Sequence, residues 1–326
     1  MRDADPHKHI QSAHYWRPAE ALPWLMAIAA FFVFPDYMAL GSQVLIIIVF
    51  ALSLDLILGY AGIITLGHAA YFGAGAYAVA MAYAHGGWTE PLSGLALGAV
   101  AGAMLGLLAG VVLLRYHGLT LLMMTLAVGI LLREFANVNE DITGGFDGVS
   151  IAPAPLLGHF DNDLFGHNYY WYCLIVLALA FLIARRVVHS PFGRSLVGIR
   201  ENTRRMHAIG TPVFKRLVIV YTLSAAIAGV AGALFAQSNA YVTIDVLDFS
   251  RSGTILVVLI LGGLGRLYGA FVGGAVYVIL EEELSKMSPE FWELGVGLVL
   301  VLVVMFARDG LLGIITRAWR ALGPQQ

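Results

Sequence analysis

From Leu22 to Phe306 one apolar run follows another, separated by short polar gaps. A lipid core needs about 20 apolar residues per helix and offers no partners to backbone polar groups. Runs of this kind are therefore confined to helices. Parallel strands in the core of a large soluble domain would be the alternative. Strands have a typical length of about 5–6 residues, and these runs are too long and too many. Composition agrees: the chain is 59% hydrophobic and 12% charged, where an ordinary soluble domain is about one-quarter charged. The sequence reads as an all-α polytopic membrane protein.

Spans are expected at 22–40, 43–59, 63–84, 92–114, 119–137, 169–188, 217–239, 252–263, 268–284 and 291–307. Charge orients them. The loop 185–216 carries Arg185, Arg186, Arg194, Arg200, Arg204, Arg205, Lys215 and Arg216 against one acid, Glu201. The positive-inside rule makes it cytoplasmic. The loop 138–168 carries Glu140, Asp141, Asp147, Asp161 and Asp163 without a Lys or Arg, which suits the outside. Arg2, Lys8 and Arg17 near one end and Arg308, Arg317 and Arg320 near the other put both termini in the cytoplasm. Two inner flanks require an even number of crossings after the basic loop. Residues 252–284 are either one very long helix, which would put the far terminus outside, or split at "GGLGRLYG" (262–269); the split is preferred, with Gly262, Gly263, Gly265, Arg266 and Gly269 forming a cytoplasmic hairpin. The expectation is about ten transmembrane helices in a single domain, 1–326, with a cytoplasmic tail at 1–21. Pro35 and Asp36 interrupt the first span. Gly62, Gly73 and Tyr77 recur as Gly262, Gly273 and Tyr277 at identical spacing, either as an internal repeat or by chance in a chain with 37 glycines.

The polar start of the chain, with His7, His9 and His14, lacks a cleavage site after a short apolar region. The first helix is thus expected to target the chain to the membrane. Cys173, the one cysteine, lies in an apolar run and behaves as a small hydrophobe. The net charge of −2 says nothing about partners, because the charge is segregated.

Catalytic motifs are missing. Lys8, Lys215 and Lys286 all lack the glycines of a phosphate loop, and no H-E-x-x-H or C-x-x-C metal pattern occurs. His68 and Thr65 would share a helical face, which is the weak basis for an intramembrane enzyme. The stretch "GYAGIITLGHAAYFGAGAYAVAMA" (59–82) is glycine-rich. Small residues allow close helix packing; a broken helix around Gly62–His68 would instead line a polar path. His68 is read either as a packing histidine or as a path residue. Asp55, about four residues from the inner end of its helix, either reaches the headgroup zone or caps a neighbour, or serves as a gate or proton site. Arg133 and Glu134 can pair or snorkel.

The segment "IRENTRRMHAIGTPVFKR" (199–216) is more ordered than topology alone requires. Arg200–Ile209 is expected to form a short cytoplasmic helix that ends at Gly210, with Pro212 just beyond. Such a helix suits docking into a partner's groove.

At these residues the sequence resembles the LivM-type permeases of branched-chain amino-acid ABC importers. "LGYAGIITLGHAAYFGAGAY", "TGGFDGVS", "SPFGRSLVGIREN…AIG", "AGVAGALFA" and "VLILGGLGRLYGAFVGG" follow one another in the family's order, over nearly the whole chain after about residue 40. The resemblance implies a type II importer permease in a bacterial inner membrane. It would work beside a LivH-like partner permease, two ATP-binding subunits and a periplasmic substrate-binding protein. No cofactor and no nucleic acid are implied. Arg200, Glu201, Asn202, Ala208 and Gly210 would belong to an ATPase-coupling loop, 189–216. Thr143, Gly144, Gly145, Asp147 and Gly148 would lie at the periplasmic mouth. Gly62, Gly67, His68, Gly73 and Asp55 would lie near the path. The chain departs from the family pattern at Asp55, at Thr203, Arg205 and Met206, and in lacking a proline in 241–246. A urea, amide or other small-acid importer is the neighbouring reading. A proton-coupled transporter using Asp55 and His68 is a second class.

Overall fold

Proline and glycine set most of the helix boundaries in the computed structural model, which describes residues 18–87, 90–151, 167–306 and 310–314. Most of the tail 1–21 and the charges Arg2, Lys8, Arg17, Asp161, Asp163, Arg308, Arg317 and Arg320 lie outside the described residues. Helix α1 (Leu22–Val33) stops ahead of Pro35, which opens a turn; proline has no N–H for the helical ladder. Helix α2 (Met38–Asp55) runs on into a π turn, Leu56–Tyr60. Helix α3 (Ala69–Gly86) ends on Gly87, which takes the left-handed φ of 60°. Helices α4 (Pro91–Leu113), α5 (Leu119–Val138) and α6 (His167–His189) follow. The basic loop forms the short helices α7 (Pro191–Glu201) and α8 (Thr203–Ala208). Helices α9 (Val213–Asn239), α10 (Phe249–Gly262), α11 (Gly269–Met287) and α12 (Trp292–Phe306) complete the order. The only sheet among the described residues is a ribbon of β1 (Val149–Ser150) and β2 (Tyr241–Val242), so the fold is all-α.

Each of the ten expected segments holds a helix, and the expected split at 262–269 is present. The bounds of the first three segments differ from expectation. The span placed at 63–84 begins only at Ala69, because residues 61–68 are not helical. Five described helical stretches are long and apolar enough to cross a membrane alone: Pro35–Tyr60, α4, α5, α6 and α9. Helices α1, α10 and the apolar part of α12 are shorter, and α11 carries Glu281, Glu282, Glu283 and Lys286 towards its end.

The centre of the bundle is built on small residues. Gly94, Gly98, Gly102, Gly106 and Gly110 place a glycine at every fourth position of α4, all buried. This stripe lies against Ala225, Gly229 and Ala233 of α9, which runs antiparallel to it; a Cβ built on Gly98 would sit 2.7 Å from the Ala233 Cβ. Small residues let backbones approach closely where lipid gives no hydrophobic drive for helix pairing. The opposite face of α4 exposes Leu92, Val100, Met104, Leu107, Leu108 and Val112, an apolar surface that suits lipid or another membrane subunit. Helices α10 and α11 also pack antiparallel through glycine, with Gly262 against Gly269 and Gly273.

The two ends of the bundle differ chemically. At one, the Glu20 carboxylate accepts from Arg185 and from the Tyr268 hydroxyl. At the other, Gln237 Nε2 donates to Pro91 O at 2.9 Å and to the Tyr83 hydroxyl at 3.1 Å. Cys173 is fully buried between these ends in α6.

Candidate functional site

The basic loop folds into two helices where one was expected. Ser190 caps α7, its hydroxyl accepting from Gly193 N at 3.2 Å. Asn202 leaves helical geometry (φ −156°, ψ 92°) and caps α8, its Oδ1 accepting from Arg205 N at 2.9 Å. Short polar side chains offer the backbone this alternative to a continuing helix. Glu201 therefore closes α7 and does not begin a helix, contrary to the sequence expectation, and so loses the dipole stabilisation expected at a helix start. It forms no ion pair with Arg204 or Arg205 among the described residues. Helix α8 ends as expected. Gly210 takes φ 80°, Gly210 N donates to His207 O and Thr211 N to Met206 O, each at 3.0 Å. That is a Schellman end, which glycine allows without steric cost. Glu201, Arg204, Arg205, His207, Ala208 and Ile209 are exposed.

Arg200 points back into the bundle. Its Nη1 donates to Gly59 O in the π turn, and its side-chain carbons lie over Gly62, where a built Cβ would be 2.5 Å from Arg200 Cγ. Gly265, with φ 70°, sits beside the same guanidinium and donates its N–H to Asp55 Oδ1 at 2.8 Å. Of the readings open for Asp55, this is the cap on a neighbouring element; its Oδ2 has no partner among the described residues. The hairpin of Gly262, Gly263, Gly265, Arg266 and Gly269 is closed by Gly269 N donating to Arg266 O at 2.6 Å. Three pieces far apart in sequence thus meet: the end of α7, the end of α2 with its π turn, and the α10–α11 hairpin.

Residues 61–68 run without helical structure between the π turn and α3. Their burial alternates: Ala61, Ile63, Thr65 and Gly67 are buried, while Gly62 and Ile64 are exposed. Side chains from other helices take over part of the freed backbone. Leu66 N donates to Thr125 Oγ1 at 3.2 Å and Ala69 N to Ser252 Oγ at 2.9 Å. Ile64 N–H and C=O have no partner among the described residues. Non-helical backbone within a bilayer persists only where protein buries it or water reaches it. The Gly62–Ile64 edge is thus a candidate wall of a polar path.

His68 lies behind that edge. It is buried, stacks on Phe50 with ring centroids 5.5 Å apart, and bonds to Ser53 Oγ through Nε2 at 2.8 Å. Phe50 O takes the one Ser53 hydroxyl proton at 2.6 Å, so the network assigns the imidazole proton to Nε2. Nδ1 is left without a partner among the described residues. Thr65 does not face His68 along a helix as the sequence suggested, since the segment is extended; its hydroxyl accepts from Gly67 N and reaches Tyr221. Gly67 packs on the backbone of Thr125, and Gly73 on Leu247 and the Val246 carbonyl. Asp55 and His68 bond to separate partners and form no pair.

The glycines of "TGGFDGVS" build a tight turn at the other end of the bundle. Gly144, Gly145 and Gly148 have φ of 71°, 51° and 66°. The Thr143 hydroxyl is set between the carbonyls of Ala136 and Asn139. The Asp147 carbonyl accepts from the Tyr241 hydroxyl, and the β1–β2 ribbon fixes the turn to the end of α9. Arg133 pairs with Asp248 at 3.5 Å, which ties α5 to the start of α10. Sequence reasoning missed the partner of Arg200, the Ser252 cap on Ala69 and the glycine stripe. Only the stripe left a signal, in its four-residue period.

Residues 37–305 match the family model described as the permease component of the branched-chain amino acid transport system. The chain belongs to this permease family. It is 29% identical over 299 residues to the high-affinity branched-chain amino acid transport system permease protein LivM of Salmonella typhimurium, covering 84% of this chain and 69% of the relative. A probable LivM of Methanocaldococcus jannaschii is 28% identical over 191 residues, 57% of this chain and 52% of that protein. The Escherichia coli permease LivH is 26% identical over 144 residues, 44% of this chain and 46% of LivH. No solved structure matches. Family and helices together make the chain a multi-pass membrane protein.

Proposed function

We propose that this chain is the membrane-spanning permease subunit of an ATP-driven importer that moves branched-chain or related small amino acids. Its 326 residues form one permease domain in the bacterial cytoplasmic membrane, crossing about ten times with both termini in the cytoplasm. A LivH-like permease stands beside it as a heterodimer partner, two ATP-binding subunits attach below, and a periplasmic binding protein delivers substrate. Loop 189–216 is the coupling element, through Arg200, Glu201, Asn202, Ala208 and Gly210. Thr143, Gly144, Gly145, Asp147 and Gly148 form the periplasmic mouth. Gly62 borders the path; Gly67, His68, Gly73 and Asp55 hold its wall in place. Gly262, Gly263, Gly265, Arg266 and Gly269 turn in the cytoplasm.

One observation carries this reading beyond the family match. Arg200 lies in the last turn of α7 and bonds to Gly59 O at the root of the non-helical segment. A push on the exposed α7–α8 pair is therefore delivered to the backbone that borders the path. In a complex reconstituted with its ATP-binding subunits and binding protein, Glu201→Ala or Gly210→Val should leave the subunit inserted and abundant. Both should abolish ATP hydrolysis stimulated by loaded binding protein. Full transport by both variants at normal membrane levels would return the loop to a topological role alone.

A further inference from the structure

A second polar cluster lies at the opposite end of the bundle from the basic loop, and neither the coupling loop nor the path residues use it. Arg251 stands in the first turn of α10. Its guanidinium lies 4.4 Å from the centroid of Phe235 on α9 and 5.6 Å from that of Phe72 on α3. No hydrogen bond or ion pair engages the side chain among the described residues, although the charges of Asp245 and Glu281 act on it. Asp245, in the turn before α10, is exposed and acts also on Tyr77 of α3. The Tyr77 hydroxyl is buried with no partner among the described residues. Four helices and one turn thus bring together a cation, two carboxylates and an orphan hydroxyl.

Simple neutralisation does not account for this arrangement. A cation placed only to balance the acids would close an ion pair with one of them, as Arg133 does with Asp248. Arg251 instead has its planar face held against aromatic rings, a setting suited to guanidinium, and its N–H edge left open. That edge matches a carboxylate in bidentate fashion. The neighbouring carboxylates suit an ammonium group at short range. A free α-amino acid carries both charges on one carbon.

We infer that Arg251, with Asp245 and Glu281, is a recognition site for the zwitterionic head of an α-amino acid as it leaves the binding protein. Arg251 takes the carboxylate, and the two acids take the ammonium. The site rests on the importer reading and supplies its substrate class from this chain's own residues.

The whole complex in lipid nanodiscs tests it. Phenylglyoxal modification of Arg251 is followed by peptide mass spectrometry, with Arg133 as the internal reference. Millimolar leucine should slow modification of Arg251 several-fold. Leucinamide, which lacks the carboxylate, should not, and Arg133 should respond to neither. In proteoliposomes, R251Q should keep ATP hydrolysis stimulated by loaded binding protein but carry at least tenfold less leucine per ATP, with R251K recovering part. Leucine protection no better than that of leucinamide overturns the site, as does unchanged leucine transport by R251Q. If R251Q does not assemble, the protection result decides. Failure of the wild-type complex to transport any branched-chain or small amino acid overturns the importer reading instead, and protection at Arg251 is still read.

Discussion

Arg200 and Asp55 show how much one contact decides at the scale of the residue. Both were legible as unusual, one for its place in a basic run and one for its place in an apolar span. Neither partner was legible, because Gly59 and Gly265 are 141 and 210 residues away from them. Asp55→Leu leaves Gly265 N–H without an acceptor, which costs about 1–3 kcal/mol for a buried donor. Asp55→Asn keeps an acceptor oxygen. Thermal unfolding of the purified complex should therefore show a clear loss for Asp55→Leu and little for Asp55→Asn; equal loss would remove the capping role. Arg200→Gln shortens the reach to Gly59 O. It should lower transport per ATP hydrolysed by several-fold while assembly with the ATP-binding subunits persists, and unchanged stoichiometry would sever the proposed link.

Among the elements, two are set by local rules that the sequence displays. Helix α8 has its stop written in Gly210, and the structure adds that its start is written in Asn202. Removing an N-cap side chain costs about 0.5–2 kcal/mol. Asn202→Ala should let α7 and α8 merge into one longer helix and weaken coupling. Spin labels at 194 and 207 would read the merger as a longer, narrower distance distribution, and an unchanged distribution would discount the cap. Helix α4 is fixed by the stripe from Gly94 to Gly110. Gly98→Leu forces a side chain into the Gly229 carbonyl and the Ala233 methyl of α9. Overpacking of this kind costs about 1–3 kcal/mol or more. The variant should lower the unfolding temperature of the purified subunit, whereas Leu108→Ala on the exposed face should not; similar values for both would mean that the stripe does not set the packing.

Across the whole molecule, charge segregation and geometry agree. Arg185, Arg200 and the 263–268 hairpin gather at one end, while the 140–151 turn and the 240–248 segment gather at the other. Reporter fusions placed within 150–165 and after Gly323 should give opposite sides. Labelling on the same side would overturn the crossing model and the cytoplasmic hairpin at Arg266. The proposed importer draws its energy from partner subunits, so the purified chain alone should show no saturable nucleotide binding by equilibrium dialysis; saturable binding would contradict that proposal.

Helix class and the end of α8 were settled by the sequence, which also offered the break after Gly59 and the split at 262–269 as one of two readings each. Each follows from apolar length, from glycine and proline, or from short-range capping, which act over a few residues. Only the tertiary structure decided what those features touch. It made 61–68 an extended edge, turned Glu201 into the end of a helix, separated Thr65 from His68, and set Arg251 between rings from two other helices. These outcomes depend on which helices pack together. In lipid that choice rests on close van der Waals fit between surfaces distant in sequence, which no local pattern encodes.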